Sequence, residues 1–74
     1  MMNSPTILRT SAVLKRIGVS RTTLYRWLDR NSKSYDPTFP RPVSLGANSI
    51  GWLEAELDQW LEARIRASRS QEAA

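Results

Sequence analysis

The chain has 74 residues, enough for one small domain, with eleven basic and seven acidic side chains, a formal charge of +4, and neither cysteine nor histidine. Without Cys or His it lacks disulfide staples and the usual general bases, nucleophiles and transition-metal ligands, so no enzyme, metal site or cofactor site is expected. The charge is unevenly placed: residues 1–45 carry +6 and residues 46–74 carry −2, and nine of the eleven cations are arginines, which suits the front half to a polyanion.

No apolar run approaches the ~18 residues of a membrane span, and the first residues lack the apolar stretch of a secretory signal, so a cytoplasmic protein with no membrane contact is expected. A chain this short buries only about 60% of its unfolded surface, so a few large side chains must make the core. Trp27, Trp52 and Trp60 are the candidates, because each falls on an apolar helix face or strand.

In chain order, residues 1–6 read as a flexible lead-in. Ile7, Leu8 and Arg9 either pair as a short extended segment or only plug the core. Thr10 and Ser11 are good N-cap residues for a first helix through Ile17, with Val13, Leu14 and Ile17 on one face. Gly18 supplies a left-handed end to that helix, Val19 packs back on it, and Ser20 caps a second helix expected to reach about Asn31.

The second helix divides cleanly. Stepping roughly 100° per residue from Arg21, the residues Tyr25, Asp29, Thr22 and Arg26 fall between roughly 40 and 140°, whereas Thr23, Trp27, Leu24 and Leu28 fall between roughly 200 and 340°. One face is built for burial and the other, rich in donors, for a partner. Two helices joined by a short glycine-containing turn are the helix-turn-helix layout, whose second helix enters the major groove of duplex DNA.

Residues 32–38 form a polar loop, and Phe39-Pro40-Arg41-Pro42 is forced to be extended. Residues 42–52 alternate around the turn-forming stretch 46–49 and read as a β-hairpin. A last helix runs from about Leu53 to Ser68, with an apolar stripe of Leu53, Leu57, Trp60, Leu61 and Ile65. The domain thus spans residues 7–68, with 69–74 as a flexible tail. The fold class is mainly α with a small β-hairpin: a winged helix-turn-helix.

The candidate DNA-binding residues are Arg21, Thr22, Tyr25 and Arg26 on the second helix and Ser20 with the first amides at its positive end. Lys15 and Arg16 on the first helix, and Arg41 beside the wing, either contact backbone phosphates or only solubilise the surface.

Together the residues resemble the AlpA family of small prophage-associated DNA-binding regulators, which are related to MerR-like winged helices and phage excisionases. The likeness is carried by Leu8-Arg9-Thr10, by the run from Gly18 to Trp27, by Phe39-Pro40-Arg41-Pro42-Val43-Ser44-Leu45-Gly46, and by the run from Gly51 to Trp60. Two departures stand out. The family usually has a basic residue in the wing turn, near Asn48, and its loop between Arg30 and Phe39 is commonly shorter.

The resemblance implies a sequence-specific regulator of double-stranded DNA in the bacterial nucleoid, acting on the integrase or excision genes of a prophage or integrative element. The alternative is an excisionase that binds and bends attachment-site DNA. RNA polymerase, an integrase and further copies of the chain are the expected protein partners, the last as a dimer or cooperative array. A third reading, from a different class, makes the chain a protein–protein adaptor.

Overall fold

The computed structural model describes residues 6–73, with side chains described through Ser70. The elements are β1 (Ile7–Leu8), α1 (Thr10–Ile17), α2 (Arg21–Leu28), β2 (Val43–Gly46), β3 (Ser49–Leu53) and α3 (Glu54–Ala73). The three strands form one antiparallel sheet in the order β1-β3-β2. Ile7 pairs with Leu53 and Leu8 with Trp52, so the first apolar residues join the sheet as a third strand. The Glu54 amide also donates to the Thr6 carbonyl, 2.9 Å away, which ties the end of the expected lead-in; residues 1–5 lie outside the described residues.

This pairing changes the start of α1. The chain leaves β1 extended and turns directly into the helix at Arg9 (φ −79°, ψ 167°), the N-cap, so Thr10 is already helical. Neither Thr10 nor Ser11 caps, and the end has no side-chain cap at all. Gly18 ends α1 as expected, with φ 72° and ψ 35°. The Gly18 and Val19 amides both donate to the Leu14 carbonyl, at 2.8 and 3.3 Å, the closure that a left-handed residue permits.

Ser20 caps α2, its Oγ accepting from the Thr23 amide at 3.2 Å. The helix stops at Leu28, short of Asn31, because Asp29 is extended (ψ 113°) and its Oδ1 takes the Asn31 amide at 2.9 Å. A short polar side chain offers the backbone an alternative to the next helical turn, and here it wins. The loop continues in the same way, with the Ser34 amide on Ser32 Oγ and the Thr38 amide on Asp36 Oδ1.

The hairpin is shorter at its start than expected, with Ala47 and Asn48 at its tip and a bulge between Ser44 and Gly46. Gly46 is not left-handed, since Gly18 alone has positive φ among the described residues. Gly51 matters more. A Cβ there would overlap the Ile7 side chain and approach the Leu8 carbonyl to 3.2 Å, so only glycine lets β1 lie this close to β3.

The core consists of Val13, Leu24, Phe39, Trp52, Leu57 and Trp60. Trp27 is half-buried and closes an aromatic trio, 5.4 Å from both Phe39 and Trp60 between ring centroids, with Phe39 edge-on to Trp60 at 4.9 Å. The trio fastens the end of α2 to α3, with the loop's Phe39 as the wedge. Leu53 closes β3 instead of opening α3, and Ile65 is 42% exposed instead of buried. Helix α3 also runs on past Ser68 to Ala73.

Candidate nucleic-acid interface

Burial of Leu24, with Trp27 and Leu28 packed against the core, fixes the rotation of α2. Its other face is then set outward: Arg21, Thr22, Tyr25 and Arg26 are all exposed, Tyr25 at 43% for a large aromatic ring. Ser20 stands at the head of this face, its hydroxyl also donating to Thr23 Oγ1 at 3.1 Å.

Two of these residues belong to a larger feature. Arg21 and Tyr25 line an open groove with Arg9, Thr10 and Ser11 from the start of α1 and with Asn48 and Ile50 from the hairpin. None of the lining residues is acidic. The first amides of α1 have no side-chain acceptor at this end, so the groove combines two guanidiniums with a helix terminus of partial positive charge. Sequence reading missed Arg9, Thr10, Ser11 and Ile50 as groove residues, because β1 had to join the sheet before Arg9 could stand beside α2. The signal was the apolar Ile7-Leu8 pair running into a helix with no spacer.

The remaining candidates are placed elsewhere. Lys15 is exposed on α1. Arg16 is engaged with α3: its Nη2 donates to Glu54 Oε2 at 2.6 Å and its Nη1 to Asp58 Oδ1 at 2.7 Å. The Glu54 hydrogen bond, then the Asp58 charge, raise the Arg16 pKa above its ordinary value despite some desolvation. This guanidinium clamps α1 to α3 and is not held ready for a phosphate. Arg41 is also occupied. Its Nη2 donates to the Tyr35 hydroxyl at 3.1 Å, its Nη1 reaches the Leu28 carbonyl at 3.5 Å, and its guanidinium lies 5.8 Å from the Tyr35 ring centre. Arg41 therefore braces the end of α2 against the loop.

A second polar network holds that loop from beneath. Asp36 accepts from the Thr38 hydroxyl at 2.6 Å and from the Trp60 indole N–H at 3.3 Å, while its own amide donates to the Trp27 carbonyl. Desolvation pushes the Asp36 carboxyl up, but the Thr38 and Trp60 hydrogen bonds and the Arg64 charge outweigh it, and its pKa lies below the usual carboxylate value. Among the described residues no group of acidic side chains is arranged to hold a metal ion.

The family model described as the prophage CP4-57 regulatory protein (AlpA) matches residues 6–65. The chain belongs to the AlpA family. It is 48% identical over 60 residues to the DNA-binding transcriptional activator AlpA of Escherichia coli (strain K12), a match covering 81% of this chain and 86% of that protein. It is also 34% identical over 58 residues to the uncharacterized protein ORF88 of Enterobacteria phage P4, covering 78% of this chain and 59% of that one. No solved structure matches. The AlpA match takes in β1, both short helices, the hairpin and α3 as far as Ile65; the remainder of α3 lies beyond it.

Proposed function

We propose that this AlpA-family chain is a winged helix-turn-helix DNA-binding protein that activates transcription within a prophage or integrative element, in the bacterial cytoplasm. The observation that carries the reading is the outward face of α2, Arg21, Thr22, Tyr25 and Arg26, standing beside the acid-free groove of Arg9, Tyr25 and Asn48. The similarity to the E. coli activator supports the same role.

In this reading α2 lies in the major groove. Arg26 donates to a base edge, guanine being the natural acceptor of a bidentate guanidinium, and the Thr22 methyl meets a thymine methyl. A backbone phosphate sits in the groove between α1, α2 and the hairpin, held by Arg9, Arg21, the Asn48 side chain and the free α1 amides. Lys15 adds a second phosphate contact. Arg16 and Arg41 act indirectly, by fixing α1 and the end of α2. The genes controlled are those for integration and excision of the element.

The test is selection of binding sites from random duplexes at ~150 mM salt with competitor DNA. Enrichment of a defined motif is the expected result. A folded protein that enriches nothing contradicts the reading and favours an adaptor.

A further inference from the structure

Past Trp60 and Leu61, α3 leaves the body of the molecule. Every described side chain from Glu62 to Ser70 is exposed, including Ile65. Stepping roughly 100° per residue from Leu57, the residues Leu61 and Ile65 fall at roughly 40 and 80°, so a short apolar stripe continues from the core face onto the projecting turns. One edge of that stripe carries Glu62 and Arg69, at roughly 140 and 120°, seven residues apart in the sequence.

Opposite charges two turns apart on one edge make the helix complementary to itself. Laid antiparallel against an identical helix, Glu62 stands opposite Arg69 of the second copy and Arg69 opposite its Glu62, with the two Ile65 side chains packed between the pairs. A parallel pair would instead gather Arg64, Arg66 and Arg69 of both copies at one end, where like charges repel.

We infer that the part of α3 beyond Trp60 is a self-association surface whose occupant is a second copy of this chain, antiparallel and centred on Ile65. It rests on the proposed DNA binding for its setting. Two apolar side chains bury much less than the ~1,200 Å² of a stable interface, so free copies pair weakly. On DNA, two copies on adjacent sites meet at an effective concentration near ~1 mM, and the surface then couples their binding.

The experiment compares binding of the full chain to duplexes carrying one or two copies of its selected site. Wild type should bind the paired site with about tenfold cooperativity. Ile65→Asp, an exposed position whose change leaves the core intact, should abolish the coupling and leave single-site affinity unchanged. Glu62→Arg and Arg69→Glu should each weaken it, and the double reversal should restore it. Cooperativity that survives Ile65→Asp overturns the inference. So does an Arg69→Glu variant that loses single-site affinity and is not rescued by Glu62→Arg, because the arginine then serves DNA. If no duplex is bound specifically, the functional reading fails on its own, and sedimentation of the free chain at ~1 mM decides the pairing: a strict monomer overturns it.

Discussion

Arg16 and Arg21 carry the same guanidinium and both lie in the basic front half of the chain, yet the fold gives them opposite tasks. Arg16 meets two carboxylates of α3, whereas Arg21 faces an open groove with no acid on its walls. Arg16→Met should therefore lower thermal stability modestly and leave the salt dependence of DNA binding unchanged. Lys15→Ala should make the log–log salt slope shallower by ~0.9, the contribution of one phosphate contact. Titration of affinity against salt distinguishes the two; a shallower slope for Arg16→Met would return that residue to the DNA surface. The two special glycines differ in kind. Gly18 has open space around it but a left-handed backbone, so Gly18→Ala should cost ~1–2 kcal/mol through conformation alone. Gly51→Ala should cost ~1–3 kcal/mol through collision with β1. In thermal melts Gly18→Asn should be milder than Gly18→Ala, whereas no side chain should be tolerated at residue 51. The role of Gly18 was legible in the sequence, since a glycine after an amphipathic turn has one common use. That of Gly51 was not, because its crowding comes from a strand more than forty residues away.

At the scale of elements, the helices were legible wherever periodicity and a cap agreed, and α2 shows both cases. Ser20 and the two-sided pattern placed its start, but its end was set by the Asp29 side chain capturing a backbone amide, which propensity alone does not weigh. The start of α1 escaped for a related reason, since strand pairing by Ile7 and Leu8 overrode two good capping residues. The loop after α2 reads as merely polar, yet Asp36 organises it through Thr38 and Trp60. Its folded-state pKa is below that of the unfolded chain, so its stabilisation is complete above the unfolded value of ~3.9 and lost as pH falls through the folded one. Asp36→Asn should therefore destabilise by ~1 kcal/mol at pH 7, with the difference from wild type closing under acid. Melting followed by tryptophan fluorescence between neutral pH and pH ~3 checks this; a constant difference across that range would contradict it.

For the whole molecule, the division of charge seen in the sequence becomes a division of labour. The front half presents Arg9, Lys15, Arg21 and Arg26, while two carboxylates of the back half, Glu54 and Asp58, clamp α1 through Arg16. Among the described side chains of α3, the exposed acids are Glu56 and Glu62, the second of which stands at the edge of the pairing surface inferred above. With so few cations on its basic face, one copy of the proposed DNA-binding protein should gain useful affinity only beside another, in line with the pairing we infer for α3. Activation, unlike excision, does not itself require a bent site, and the proposed reading predicts that circularly permuted fragments migrate alike in its complexes. Strong position-dependent retardation would support an excisionase instead. Whether the exposed face of α2 reads base edges, as proposed, is decided by parallel site selections with wild type and Arg26→Ala. The predicted result is a motif that relaxes at one base pair, with a loss of ~1–3 kcal/mol on the wild-type site and little elsewhere. An unchanged motif bound uniformly more weakly on every sequence would contradict it, reducing Arg26 to a phosphate contact.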